Sequence, residues 1–277
     1  MVAGGLFHAF LLLGMVTSGA YGGAGRLSPG EILQRVDGVY QNLQSYQFVA
    51  QYQISLLENV RQDFTGEGDS RVPTGAEYST GQTVTEYIEF AAFNPDKVRL
   101  WVKSSSASGQ ILVVGDGHRT WTSMPLQKQY TEKATSLSGK SDADLQALAE
   151  ELKFIREYWS LLVGRFRDVS RFSSSATLGK DARLKVGGEK VDCYVIKWQT
   201  EQANDEMWVD QRSFTVWRLK QTPRAGAPAG TQRKADVTID FIKADLNPRL
   251  DDSLFNFTPP EKSTKVELLR WPAEKTK

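Results

Sequence analysis

The stretch Ile111 to Tyr130, ILVVGDGHRTWTSMPLQKQY, constrains the fold more than any other part of the chain. The apolar run Ile111 to Val114 meets Gly115-Asp116-Gly117 and is followed by Thr120-Trp121-Thr122, a Pro-containing bend and Gln-Lys-Gln-Tyr. Asp-Gly between two strand-forming runs is the strongest short-range hairpin signal, because the left-handed backbone of a tight turn suits Gly and is tolerated by Asp. A chain with this hairpin at its centre is built on antiparallel sheet.

The flanking sequence agrees. Ser28-Pro29-Gly30-Glu31 places an N-cap, a helix-starting Pro and a capping-box Glu before the apolar stripe Ile32, Leu33, Val36, Val39, Tyr40 and Leu43, which predicts a short helix. From Tyr46 to Leu56 the period becomes two, with Tyr46, Phe48, Ala50, Tyr52 and Ile54 on one face and mostly Gln on the other. Residues 59–82, rich in Gly, Asp, Thr and Ser, read as an irregular excursion, crossed at most by a ragged strand over Asp63 to Thr65. Strands resume over 84–93 and 98–103 and make a meander with the central hairpin. The spacing Leu145, Leu148, Leu152, Ile155, Trp159 and Leu162 predicts one long amphipathic helix, and 165–172 reads as a further short helix or a linker. Strand pairs follow around Gly187-Gly188 and around 211–213, then a strand over 237–243, and Pro259-Pro260 ends any pairing. The expectation is a mostly β, α+β fold of about ten to eleven strands.

With 34 Lys plus Arg against 33 Asp plus Glu, the chain has no field to attract nucleic acid. Residues 1–24 read as a cleaved signal peptide: Leu6 to Val16 is an apolar core and Ser18-Gly19-Ala20 a small-residue cleavage site, although the usual cationic start is missing. The apolar core is too short to span a bilayer, which takes about 20 residues. The single cysteine, Cys193, allows no intrachain disulfide and lies far from any lipidation position near the cleavage site. The expectation is therefore a periplasmic monomer without a lipid anchor, with residues 25–277 as one domain.

Residues that could carry chemistry are scarce. There are two histidines, His8 in the signal and His118 beside the hairpin turn, and His118 reads as an exposed turn residue rather than a base. Cys193 reads as a small strand hydrophobe. Asp251-Asp252 and Glu150-Glu151 have the context of solvated charge, and neither a nucleophile elbow nor a phosphate loop is present. No enzyme, metal or cofactor is expected. The aromatic load stands out, with Trp101, Trp121, Trp198, Trp208 and Trp217 among the strands. Two readings stay open: core and rim of a twisted sheet, or lining of a cavity larger than side chains fill.

Four stretches in order carry a family resemblance. They are the helix Ile32 to Leu43 entering the strand Tyr46 to Leu56; Val113 to Gly117 with Thr120-Trp121 and Gln129-Tyr130-Thr131; Glu206 to Asp210 with Phe214 to Leu219; and Leu254-Phe255-Asn256-Phe257-Thr258-Pro259-Pro260. Together they resemble the LolA/LolB-like superfamily of periplasmic lipoprotein carriers, with its outer-membrane lipoprotein-sorting proteins and lipid-sensing regulators of the RseB type. The resemblance implies a half-open, curved antiparallel barrel whose helices cover a concave face that receives acyl chains, without catalysis. The loops at 59–82 and 222–235 are longer than in the best-known carrier.

On that reading the cavity residues are Tyr46, Phe48, Tyr52, Trp101, Trp121, Trp198, Trp208 and Trp217, and Leu148, Leu152, Ile155 and Trp159 belong to a lid. The expected function is a carrier or sensor of lipids or of lipoprotein acyl chains. The alternative is an interaction module of the same fold, its cavity filled by its own side chains and its partner an envelope protein.

Overall fold

The structure, a computed structural model, describes residues 26–65, 72–93, 97–104, 110–134, 165–200, 203–224 and 235–270. Residues 1–24, read as a signal peptide, and the amphipathic stretch 145–162 lie outside the described residues. Helix α1 (Pro29–Gln41) is followed by β1 (Ser45–Thr65), β2 (Val72–Phe93), β3 (Lys97–Ser104), β4 (Gln110–Asp116), β5 (Thr120–Met124) and β6 (Gln129–Lys133). The second half holds β7 (Thr177–Leu178), β8 (Ala182–Val186), β9 (Glu189–Gln199), β10 (Ala203–Asp210), β11 (Val216–Pro223), β12 (Ala235–Leu246) and β13 (Thr264–Lys265). Short 3₁₀ turns occupy Pro125–Gln127, Arg165–Phe172 and Asp252–Phe255.

Among the described residues these strands form one 13-stranded sheet, in the order β13-β6-β5-β4-β3-β2-β1-β12-β11-β10-β9-β7, with β8 also on β9. Two meanders, β1 to β6 and β9 to β12, meet where β12 pairs with β1 from Tyr46↔Leu246 to Leu56↔Ala235. The outermost strands, β13 and β7, do not pair with each other, so the curved sheet stays open. Every pairing is antiparallel except β13 on β6. This is the mostly β, half-open architecture expected, with two of its strands only two residues long.

Three local expectations are corrected. The stretch 59–82 is not an irregular excursion within its described part: β1 and β2 run on as a two-stranded ladder to Thr65↔Val72, with register shifts at Ser55/Leu57, Asn59/Arg61 and Asp63/Phe64. Its polar composition hid the strands that the ladder hydrogen bonds maintain. The central hairpin turn is longer than an Asp-Gly pair. Gly117 alone takes a left-handed φ, of 96°, while the Asp116 carboxylate accepts hydrogen bonds from the backbone N–H of His118 at 2.8 Å and Arg119 at 2.7 Å. Asp therefore caps the turn with its side chain instead of lending it a left-handed backbone. Third, Arg165–Phe172, read as a short helix or a linker, is two 3₁₀ turns kinked at Asp168.

The capping box is formed as the sequence implies: the Glu31 N–H donates to Ser28 Oγ, and Glu31 Oε2 accepts from the Ser28 N–H at 2.8 Å. Ile32, Leu33, Val36 and Tyr40 of α1 are then buried in the same core as the inner face of the sheet.

Candidate functional site

Strand register assigns every side chain to one of two faces, because successive residues point to opposite sides. Phe48, Phe90, Leu100, Val113 and Thr122 form one cross-strand row of the inner face. Tyr52, Ile239, Leu219, Met207 and Ile196 form another. These rows join both meanders into one buried apolar surface.

Next to α1 this surface is filled by rings. Tyr40 meets Tyr46 edge-on at 5.9 Å and Phe166 at 4.8 Å. Phe48 stacks on Phe90 at 5.0 Å and meets Phe241 edge-on at 5.3 Å, and Phe166 closes the group against Phe241 at 6.0 Å. Edge-on and offset geometries suit the ring quadrupoles. Burial pushes the Tyr40 phenol up to about 12, and its oxygen accepts from the Val216 N–H at 3.1 Å. Burial, then the neighbouring Tyr40, holds Tyr46 well above its ordinary value.

The segment that delivers Phe166 is tied to α1 by a buried carboxylate. Asp37 accepts hydrogen bonds from the Val169 N–H at 2.7 Å and the Ser170 N–H at 3.2 Å. Farther along, Phe172 stacks on Trp198 at 5.2 Å, and the Arg171 guanidinium lies 4.7 Å from the Phe172 ring centroid.

From Ile88 across β3 to β5 the inner face is mainly aliphatic. Ile88, Leu100, Val102, Ile111, Val113 and Met124 are each at most 3% exposed. Polar groups enter at few places, notably Glu86 opposite Tyr52 and the pair Asp205 and Gln221, in which the Gln221 amide donates to the Asp205 carboxylate.

Of the residues named from sequence, Tyr46, Phe48, Tyr52 and Trp198 share the inner face and are buried. Trp101, Trp121 and Trp208 lie on the outer face. Trp121 sits in the row Ala91, Arg99, Val114, Trp121, Glu132 and stacks on Phe257 at 5.6 Å. Trp101 lies under the Lys103 ammonium, 4.0 Å from its ring centroid, and Trp208 under the Arg218 guanidinium. Trp217 is the extra residue of a β-bulge and donates its indole N–H to Asp210 at 3.3 Å. Leu148, Leu152, Ile155 and Trp159 fall outside the described residues. Sequence reasoning missed Phe90, Phe166 and Phe241 as inner-face rings, although the period-two pattern of 84–93 and 237–243 already placed Phe90 and Phe241 on an apolar face.

The residues considered for catalysis sit apart. His118 is exposed on the β4–β5 turn and Cys193 is buried on β9. Burial, then the charges of Asp210 and Asp192, pushes the Cys193 thiol up to about 12, which leaves almost no thiolate at neutral pH. Among the described residues no group of His, Cys, Asp and Glu is placed to hold a metal ion.

A family model described as a predicted periplasmic protein, DUF2092, matches residues 75–269, from the ladder of β2 to the end of the C-terminal segment. The chain belongs to the DUF2092 family. No curated protein matches this DUF2092 sequence significantly. Solved structures similar to the DUF2092 chain include a conserved protein of Thermus thermophilus, 11% identical, covering 85% of this chain and 96% of that one, with a TM-score of 0.41. MucB in the MucA/MucB complex of Pseudomonas aeruginosa is 14% identical over 82% of this chain and 60% of its own, with a TM-score of 0.39. A LolA superfamily protein of Nitrosomonas europaea is 12% identical over 84% and 99%, with a TM-score of 0.30.

Proposed function

We propose that this periplasmic-family protein is a non-enzymatic carrier or sensor that receives the acyl chains of a lipid or lipoprotein on the inner face of its sheet. The observation that carries the reading is the continuity of that face. Rows from both meanders present large apolar side chains to one interior, and the sheet does not close around it. An acyl chain gains about 0.8 kcal/mol for each CH₂ moved out of water, so a chain that takes the place of the side chains now covering this face needs no specific polar contact to bind usefully. The aliphatic half, Ile88, Val102, Ile111 and Met124, suits a flexible chain. The amphipathic stretch Leu145 to Leu162 has the sequence pattern of a cover for it.

A second reading has its own observation. The cluster of Tyr40, Tyr46, Phe48, Phe90, Phe166 and Phe241 fills the interior beside α1 with the protein's own rings, as in a module that binds envelope proteins by its outer surfaces. Titration with a fluorescent fatty acid separates the two. A carrier binds it saturably, is displaced by unlabelled fatty acid, and gains about 5–10 °C in melting temperature at a hundredfold excess over Kd. Absence of both binding and thermal shift favours the interaction module.

A further inference from the structure

Leu126 and Leu268 are the most exposed large apolar side chains among the described residues, at 63% and 77%. They come from segments more than a hundred residues apart in sequence but emerge at one corner of the sheet. Leu126 is the middle residue of the 3₁₀ turn Pro125–Gln127, closed by the Lys128 N–H donating to the Pro125 carbonyl at 3.2 Å. Leu268 follows β13, which the Thr264 N–H fixes to the Lys128 carbonyl at 2.8 Å and the Arg270 N–H fixes to Gln129 Oε1 at 3.0 Å. Leu269 packs against the core, while its neighbour Leu268 stays in water. Both leucines are thus held out by rigid, hydrogen-bonded backbone.

The charges at this corner nearly balance, with Lys128, Lys262, Lys265 and Arg270 against Glu132, Glu261 and Glu267. Lys262 is paired with Glu261 at 3.7 Å, and Lys265 with Glu132 at 2.7 Å. Glu267 is exposed beside Leu268. Lys128 and Arg270, both exposed, flank the two leucines and have no carboxylate partner among the described residues.

We propose that this corner docks on an anionic phospholipid surface, with Leu126 and Leu268 entering the boundary between headgroups and acyl chains and Lys128 and Arg270 lying at the level of the phosphates. Two separated leucines offer far less than the roughly 800 Å² per partner that a stable protein interface buries. A membrane surface needs only a few apolar side chains supplemented by cations. The proposal is independent of whether the inner face binds acyl chains, since none of these four residues belongs to that face.

The test is co-sedimentation of the protein recovered from the periplasmic fraction with vesicles of phosphatidylcholine alone and of equal parts phosphatidylcholine and phosphatidylglycerol. Binding is expected to favour the anionic vesicles and to weaken as salt rises. Leu126→Ser with Leu268→Ser is expected to lower the partition constant by at least about tenfold. Lys128→Gln with Arg270→Gln is expected to lower it by about fivefold for each charge and to flatten the salt dependence. All four side chains are exposed, so both double variants should melt as the wild type does, and a variant that melts lower is replaced by the single changes. Wild-type protein that ignores anionic vesicles, or variants that bind as wild type, would overturn the proposal. So would a photo-cross-linker at position 126 that captures one protein rather than lipid in intact cells.

Discussion

Asp37 lies on the buried stripe of α1 and engages both carboxylate oxygens with backbone N–H groups more than 130 residues away. Hydrogen bonds to a buried charge are worth more than neutral ones, and removing the acceptor leaves two donors without a partner. Asp37→Ala is therefore expected to cost about 3 kcal/mol in urea unfolding, with Asp37→Asn, which keeps one acceptor, falling between. The aromatic residues give the matching lesson about legibility. Tyr46, Phe48, Tyr52 and Trp198 could be placed on an apolar face by period two, whereas Trp101, Trp121 and Trp208 drew attention by size alone. Alternation assigns residues to a face but cannot say which face is inner, and here the outer face carries its own aromatic packing. Cys193 belongs to that buried outer layer. Its thiol is expected to react with a thiol reagent at pH 8 only as fast as the protein unfolds; rapid labelling of native protein would contradict the burial.

The two core phenols carry a pH dependence of definite sign. A phenol whose native pKa is raised contributes stability that is whole below the ordinary tyrosine value of about 10 and is lost as pH rises toward the native value. For Tyr40 that value is about 12. Urea midpoints measured from pH 8 upward should hold steady to about pH 10 and then fall. Tyr40→Phe should reduce the fall, at the cost of leaving the Val216 N–H without its acceptor.

At the scale of elements, the C-terminal segment behaves as a strap over the outer face of β3 to β6. Lys97 pairs with Asp252 at 2.8 Å, Arg99 donates to the Leu254 carbonyl at 3.2 Å, and Phe255 is buried. Phe257 contacts both Trp121 and Tyr130, and the strap ends as β13 beside β6. The surface ion pair contributes little, so the rings hold the strap. Phe255→Ala is expected to cost about 3–5 kcal/mol, and Phe257→Ala less because it is half-exposed. Limited proteolysis should then cut first within 251–270, and cleavage elsewhere would argue against a separable strap. Pro259-Pro260 ends no pairing: β12 already stops at Leu246, and the chain pairs again with β6 at Thr264–Lys265. That return was not legible, because a two-residue parallel pairing leaves no periodic trace.

For the molecule as a whole, the decisive contact is β1 with β12, which joins two meanders of ordinary short connections into one sheet. The meanders could be read from turn residues and alternation, but that register depends on packing between strands almost two hundred residues apart. Only after this joining do Phe48 and Tyr52 of one half share an interior with Phe241, Leu219 and Met207 of the other, and only then is the apolar face continuous. If acyl chains occupy this face, native mass spectrometry of protein released gently from the cell envelope will show an added mass that solvent extraction recovers as a lipid or fatty acid and that returns on incubation with lipid vesicles. Protein that is ligand-free from the envelope and remains so after that incubation would contradict that reading.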